Sequence, residues 1–284
     1  MSITSVDSVT SPVRVDAFGI THQGNVRATN EDHFVIAQLS KSVVIQHTSV
    51  SRATVARRFG VANAYLFAVA DGVGGRSGGD VASGKTVATV LDYFGGTAEC
   101  FHGLDVTREH EVLEKLEHAV RSVHDALLQE FGGERAEVPA TTLTMMLLVW
   151  PRAYLIHVGD SRAYVRRRGR LQCLTRDQTF GQYMVDVGAW TAEQAARPGP
   201  AATLASAVGG TELTPVVGLV DLDVGDSIVL CTDGLTKHVS DERIGEVVAT
   251  SPDAHSASQQ LIDEALAAGG SDNVTVVVVR SEEN

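Results

Sequence analysis

Acidic side chains stand at the ends of apolar, β-branched segments at five places in the sequence. They are Glu31 with Asp32, Asp71, Asp160, Asp233 and Asp272. Because Asp-Gly and Asp-Ser are common turn dipeptides, a single such site predicts only a turn. Five of them predict more, since strands that share a sheet bring their ends together. Unpaired carboxylates that converge in a partly buried site repel one another, and bound divalent cations remove that repulsion.

The side-chain types in this set favour Mg²⁺ or Mn²⁺ over Zn²⁺. All the candidate ligand atoms are oxygens, and neither a cysteine nor an ordered pair of histidines belongs to the set. Oxygen ligands suit Mg²⁺ and Mn²⁺, whereas zinc sites use mainly nitrogen and sulfur. Clustered carboxylates that hold two such ions are suited to the hydrolysis of phosphoesters.

Apolar and β-branched runs predict the strands that must position these side chains. Short turns between several of the runs, such as Pro151-Arg152, favour antiparallel pairing. The predicted strands are Val13–Ile20, His33–Gln38, Ser42–Gln46, Tyr65–Ala70, Thr142–Trp150, Ala153–Val158, Arg162–Arg168, Ser227–Cys231 and Asn273–Val279.

Other segments have the period of an α-helix. The clearest is Thr107–Phe131, which Gly132-Gly133 is expected to stop. Thr191 with Gln194 resembles a capping box at the start of a short helix. The remaining predicted helices are Val81–Phe94, Asp241–Thr250 and Ala257–Ala268. Because the strands come in antiparallel groups with helices between the groups, the pattern predicts an α+β fold with two sheets covered by helices.

Composition and charge narrow the class of protein. The chain has 284 residues, and 44% of them are hydrophobic, which is enough for a sizeable core. It has 23 basic and 35 acidic residues, and this net charge of -12 argues against nucleic acid or an anionic membrane as the main partner. The cysteines follow no zinc or disulfide spacing, and the sequence shows neither a signal peptide nor a transmembrane run. We expect a cytoplasmic protein with reduced thiols.

The order and wording of the motifs resemble the PPM family, the metal-dependent (type 2C) protein serine/threonine phosphatases, in its bacterial form. The resemblance runs from about Phe18 to Val279. It implies a four-layer α-β-β-α sandwich of two mainly antiparallel sheets flanked by helices. The matching pieces are residues 21–27 (THQGNVR), 30–32 (NED), 70–75 (ADGVGG), 141–144 (TTLT), 158–162 (VGDSR), 231–235 (CTDGL) and 271–275 (SDNVT).

The resemblance implies a set of metal ligands. Asp71 looks like the carboxylate that bridges two catalytic metals, with the Gly72 carbonyl oxygen as a further ligand. Asp233 and Asp272 look like ligands of the first metal. Glu31 looks like a ligand of the second metal, partly through water.

Three further positions complete the implied site. Asp32 looks like a residue that orients metal-bound water, and Asp160 matches the position of a third, weaker metal. Arg27 matches the arginine that grips the substrate phosphate, since its planar fork suits two phosphate oxygens at once. In the implied reaction, a water that bridges two Mn²⁺ or Mg²⁺ ions attacks the phosphorus of phosphoserine or phosphothreonine in a protein. An opposing Ser/Thr protein kinase is the implied partner.

The sequence departs from the family pattern after the second motif. Arg76 stands where bacterial relatives often have a histidine, the usual candidate for protonating the leaving group. Either a water or another histidine therefore serves as the donor. His22 and His33 lie near the first motif, where a histidine is more often a structural hydrogen-bonder.

We expect one domain over residues 13–281, with residues 1–12 disordered. The long spacing between Asp32 and Asp71 marks residues 40–63 as an insertion, which contains three arginines. We interpret it as a solvated hairpin or loop, and the alternative is a docking arm for acidic or phosphorylated partner segments. Residues 175–217 have weak periodicity and resemble the family's flap, on which substrate preference is expected to depend. The three arginines are Arg52, Arg57 and Arg58.

Two other classes of protein share parts of this pattern. A pseudophosphatase is a phosphoprotein-binding module with the same fold, and it usually lacks one of the aspartates. The complete acidic set here favours an active enzyme. A metal-dependent phosphodiesterase or nuclease is disfavoured by the acidic composition and by the lack of a basic groove with aromatic residues.

Overall fold

The computed structural model describes residues 13–39, 64–73, 78–97, 109–132, 138–195 and 199–283. In chain order, its elements are β1 (Val13–His22), β2 (Asp32–Leu39), β3 (Ala64–Val73), α1 (Gly79–Thr97), α2 (Glu109–Phe131), β4 (Ala140–Thr141), β5 (Leu143–Val149), β6 (Arg152–Val158), β7 (Arg162–Arg167), β8 (Arg170–Cys173), α3 (Phe180–Asp186), α4 (Ala192–Ala195), β9 (Val216–Asp221), β10 (Ser227–Cys231), α5 (Asp233–Thr236), α6 (Asp241–Thr250), α7 (Ala254–Ala267) and β11 (Val274–Glu283). The expected disorder of residues 1–12, the insertion 40–63 with its predicted strand Ser42–Gln46, and Arg76 lie outside the described residues.

The described strands form two sheets. One has the order β1-β11-β10-β7-β8, and the other has the order β2-β3-β5-β6-β9, with β4 paired to the end of β3. The strand pairs of both sheets are antiparallel, as the short turns predict.

Side chains of the central strands point alternately to the two faces of their sheet, and this alternation produces the layers of the fold. In β3, Leu66 packs with the helices α1 and α2, whereas its neighbour Phe67 packs between the two sheets. In β11, Val276 faces α6 and α7, and Val277 faces the other sheet. Successive side chains of a strand point to opposite faces, so strands covered on both faces read as continuous apolar runs. Burying one such side chain stabilises the fold by about 1.5–3 kcal/mol. The predicted four-layer α-β-β-α sandwich is confirmed.

Helix boundaries follow local capping. The predicted capping box is present, because Gln194 N donates to Thr191 Oγ1 at 3.2 Å and Thr191 N donates to Gln194 Oε1 at 2.8 Å. Helix α7 begins at Ala254 rather than at the predicted Ala257, because Asp253 caps it by accepting from Ser256 N at 2.7 Å. Asp233 opens the short helix α5, where the sequence alone predicted a turn.

Three strands were not among the predictions, and the last strand is longer than predicted. Strand β11 continues to Glu283, which pairs with Val13 of β1. The sequence did not predict β4, β8 or β9, which are short, and β8 and β9 lie at the edges of their sheets with exposed residues. Among the helices of the described residues, none combines the length and apolar character that a membrane span requires.

Candidate active site

One cavity, of about 380 Å³, gathers most of the residues that the sequence pointed to. Its walls include all the predicted site residues except Asp32, which is 3% exposed and does not line it. The predicted residues in the walls are Arg27, Glu31, Asp71, Gly72, Asp160, Asp233 and Asp272. Lys237 and Asn273, which the sequence did not single out, line the same cavity, and residues 202–204 of the flap region form one side.

The end of β3 fixes Asp71. Its N–H donates to Thr142 Oγ1 at 3.0 Å, and its carbonyl oxygen accepts from Thr141 Oγ1 at 2.8 Å and from Thr142 N at 2.9 Å. The two threonines therefore fix the backbone of Asp71. The strand, and not a loop, sets the direction of its side chain.

Gly72 allows three segments to meet closely. A Cβ at this position would lie 2.3 Å from the carbonyl of Gly79 and 2.8 Å from the carbonyl oxygen of Glu31. Gly72 N donates to that Glu31 oxygen at 3.1 Å. Any larger residue would push the start of α1 and the Glu31 loop away from the cavity.

Asn273 ties the loop of Arg27 and Glu31 to the start of β11. Its Oδ1 accepts from Glu31 N at 2.9 Å, and its Nδ2 donates to the carbonyl oxygens of Gln23 and Thr29, both at 2.8 Å. Asn273 belongs to the motif of residues 271–275, but the motif alone predicted no role for it. Its buried amide satisfies three backbone groups at once, which marks it as a positioning residue for Glu31.

Two hydroxyl groups hold Asp32. Thr232 Oγ1 lies 2.8 Å and Thr275 Oγ1 lies 2.7 Å from Asp32 Oδ2, whereas the buried Oδ1 has no partner among the described residues. Burial raises the pKa of Asp32 to about 7, although the two hydroxyls act to lower it. Repulsion from Asp233 and Asp272 adds to the rise.

Three aspartates of the cavity wall, Asp71, Asp160 and Asp233, also lie in surroundings that disfavour a negative charge. Burial, followed by repulsion from Asp32 and Asp233, raises the pKa of Asp71 well above its ordinary value. Burial and Asp233 raise the pKa of Asp160 to about 8. Burial also raises the pKa of Asp233, whose buried Oδ1 lacks a partner among the described residues. These mutual effects show that the aspartates converge, as their places at strand ends predict.

Two basic side chains offset part of this negative charge. Arg27 contacts Asp272 through Nε, at 2.7 Å from Oδ1, and through Nη2, at 2.9 Å from Oδ2. Lys237 Nζ lies 2.6 Å from Asp233 Oδ2 and 2.7 Å from Asp272 Oδ2. Burial alone would raise the pKa of Asp272, but hydrogen bonds from Lys237 and Arg27 bring it below its ordinary value. The four-residue spacing from Asp233 to Lys237 was a local signal that could have found this pair.

The donor set fits hard divalent cations. Within the described residues, no three Asp, Glu, His or Cys side chains already stand together as a metal-holding group. The cavity nevertheless presents carboxylate oxygens from several elements, and the orphaned Oδ1 atoms of Asp32 and Asp233 are buried acceptors that need a partner. Oxygen donors of this kind suit Mg²⁺ or Mn²⁺.

The two histidines near the first motif make structural hydrogen bonds. His22 Nδ1 accepts from Gly24 N at 2.9 Å, and His33 Nδ1 lies 2.9 Å from Ser83 Oγ. Neither histidine lines the cavity.

Two stacked antiparallel sheets, flanked by helices and carrying an acidic cavity where strands end, define the PPM class of phosphatase folds. The chain belongs to the protein phosphatase 2C family, whose model matches residues 55–268.

Relatives and solved structures agree with this assignment. The serine/threonine protein phosphatase PstP of Mycobacterium tuberculosis is 38% identical over 218 residues, which is 76% of this chain and 40% of PstP. The chain therefore spans less than half the length of that relative. A crystal structure of PstP/Ppp from the same organism is 33% identical, with a TM-score of 0.73, over 95% of this chain and 99% of that chain. A structure of the PstP catalytic domain in complex with 2 manganese ions is 33% identical, with a TM-score of 0.72, over the same shares.

Proposed function

We propose that this chain hydrolyses phosphoserine and phosphothreonine in proteins with the help of two divalent cations, Mn²⁺ or Mg²⁺. The observation that carries the proposal is the cavity whose walls bring together partly buried aspartates from different strand ends, Asp71, Asp160, Asp233 and Asp272. Membership of the protein phosphatase 2C family and the manganese ions of the PstP structure support it.

The ligand assignment follows the family pattern and the walls of the cavity. Asp71 would bind both ions, and the Gly72 carbonyl oxygen would be a further ligand. Asp233 and Asp272 would bind the first ion, and Glu31 the second. Bound divalent ions supply the charge that activates a water for attack on phosphorus and that neutralises the phosphoryl oxygens.

Asp160 is proposed as the ligand of a third, more weakly held ion. Its place in the cavity wall and its repulsion with Asp233 support that role. Asp32 is proposed to orient the attacking water. The hydroxyls of Thr232 and Thr275 occupy only its Oδ2, so Oδ1 is left able to accept a hydrogen bond.

Arg27 is proposed to bind the substrate phosphate. Its side chain is 48% exposed, so a phosphoprotein can reach it from solvent. Its guanidinium already makes a two-point contact with the Asp272 carboxylate, and the same fork matches two phosphate oxygens. Substrate binding would then exchange one anionic partner of Arg27 for another.

The proposed partners are phosphorylated proteins in the cytoplasm and the Ser/Thr kinase that phosphorylates them. The net charge of -12 supports this choice over nucleic acid or an anionic membrane. A pseudophosphatase that only binds phosphoproteins is the alternative. The presence of every acidic position in or beside one cavity favours hydrolysis over binding alone.

An assay with the purified chain tests the proposal. Phosphoserine, phosphothreonine and phosphotyrosine peptides and p-nitrophenyl phosphate are each offered with Mn²⁺ and with EDTA. We expect hydrolysis of the first two peptides with Mn²⁺ and none with EDTA. Binding of phosphopeptides without any Mn²⁺-dependent hydrolysis would instead favour the pseudophosphatase.

A further inference from the structure

Lys237 lies between two of the proposed ligands of the first metal. Its Nζ atom contacts one carboxylate oxygen of Asp233, at 2.6 Å, and one of Asp272, at 2.7 Å. Arg27, the other basic group of the cavity, contacts Asp272 but makes no hydrogen bond with Asp233. Among the residues that the structure describes, Lys237 is therefore the cationic side chain that bridges both aspartates.

The local fold keeps Lys237 in this position. Lys237 follows the short helix α5, and its N–H donates to the carbonyl oxygen of Asp233 at 2.9 Å. This turn places the side chains of residues 233 and 237 on the same side of the helix.

We infer that Lys237 is a tethered cation that competes with a divalent ion for Asp233 and Asp272 and so weakens binding at the first metal site. The inference rests on the proposed function, because it takes these two aspartates as metal ligands. An ammonium group and a divalent ion on the same carboxylates repel each other strongly in a partly buried site. Metal entry therefore has to move Lys237 away from at least one of its partners.

Lys237 weakens metal binding in this proposal, but the same contacts stabilise the protein when no metal is bound. There the ammonium offsets repulsion between Asp233 and Asp272, which are 21% and 15% exposed. Removing it is expected to destabilise the metal-free protein and to strengthen metal binding. A lysine with a merely structural role would weaken both properties or change neither.

Isothermal titration of Mn²⁺ into the EDTA-stripped full chain tests the inference. The variants are Lys237→Met and Lys237→Gln, which remove the charge, and Lys237→Arg, which keeps it. Lys85→Met is the matched control, because Lys85 is also 40% exposed and ion-paired, with Glu130, but does not line the cavity. We expect both neutral variants to lower the Kd for Mn²⁺ by about tenfold or more. The Arg variant and the control should stay within about twofold of the wild type.

Melting temperatures of the same proteins provide the second readout. In EDTA, Lys237→Met and Lys237→Gln should melt below the wild type, and their shift on adding Mn²⁺ should be larger. An unchanged or weaker affinity for Mn²⁺ in both neutral variants would overturn the inference. If the neutral variants bind Mn²⁺ more tightly than the wild type but the wild type does not hydrolyse a phosphothreonine peptide, the proposed function fails and the competition stands. If neither the wild type nor any variant binds Mn²⁺, both are wrong.

Discussion

Asp32 and Asp71 stand directly opposite each other across the antiparallel pair of β2 and β3. Asp32 opens one strand and Asp71 lies near the end of the other, so the pairing brings together carboxylates that are 39 positions apart in the sequence. Asp32 is buried and Asp71 is partly buried, and Asp32 is one cause of the raised pKa of Asp71. The cavity therefore accumulates negative charge that the rest of the fold must stabilise.

This accumulation predicts opposite effects of Asp71→Asn on activity and on stability. The variant should abolish Mn²⁺-dependent hydrolysis, because it removes the proposed bridging carboxylate. It should also stabilise the metal-free protein by about 1–3 kcal/mol at pH 8, because the amide removes a partly buried charge that neighbouring aspartates repel. The raised pKa of Asp71 means that ionisation costs stability above the unfolded pKa, so the gain should grow from pH 5 to pH 8.

Urea unfolding in EDTA and p-nitrophenyl phosphate turnover check the two effects. Asp263→Asn, at an exposed position of α7, is the control and should change neither. Retained activity in Asp71→Asn would refute the metal assignment. A loss of stability in EDTA would refute the prediction that ionised Asp71 destabilises the metal-free protein.

Asn273→Asp is predicted to lower kcat/KM by about 10- to 100-fold. The variant keeps an acceptor for Glu31 N but loses the Nδ2 donor that holds Gln23 and Thr29. Asn25→Ala is the comparison, because Asn25 ties the same loop to Leu266 and does not contact Glu31. The measurement is turnover as a function of Mn²⁺ concentration. An equal decrease of kcat/KM in the two variants would show that Asn273 only anchors the loop.

The fold was largely predictable because its central strands are covered on both faces. Residues 65–70 of β3 and 276–279 of β11 therefore appear in the sequence as uninterrupted apolar runs. The edge strands β8 and β9 have exposed residues and only short patterns, so they were missed. Four-residue α5 was missed because its first residues, Asp233 and Gly234, are also common in turns.

The acidic residues of the cavity were predictable from the sequence, whereas most contacts of their partners were not. Each aspartate stands next to a strand end, and this local signal is visible in the sequence. The contact of Asn273 with Glu31 spans 242 positions and that of Lys237 with Asp272 spans 35, and both depend on how separate loops pack. No local pattern encodes such contacts. The four-residue spacing from Asp233 to Lys237 does predict the other contact of the lysine, with Asp233.

Thr232→Val is predicted to destabilise the protein by about 1–2 kcal/mol and to lower activity. The substitution removes the hydroxyl that bonds to Asp32 Oδ2 and that accepts from Thr275 N at 2.9 Å. Thr232→Ser keeps the hydroxyl and should retain most of both properties. Urea unfolding and phosphopeptide turnover measure the changes. A Ser variant as impaired as the Val variant would mean that the methyl group, not the hydroxyl, matters.

His157 is predicted to make the protein less stable in acid. It is 2% exposed, its Nε2 donates to the carbonyl oxygen of Arg176 at 3.1 Å, and its Nδ1 lies 2.9 Å from Thr144 Oγ1. Burial lowers its pKa despite the Arg176 carbonyl, so the unfolded chain takes up the proton first as the pH falls. The stability that neutral His157 contributes is therefore present above the unfolded pKa, about 6.5, and is lost as the pH falls towards the folded pKa.

Comparison with His157→Gln isolates this effect from the titration of the carboxylates. The wild type should be the more stable protein at pH 7, and its advantage should shrink by up to about 1.4 kcal/mol per pH unit between pH 6.5 and pH 5. Urea unfolding in EDTA at pH 7, 6 and 5 measures the advantage. His110→Gln, at a side chain that is 83% exposed, should show no comparable change. A constant difference between wild type and His157→Gln across this range would mean that burial does not hold His157 neutral.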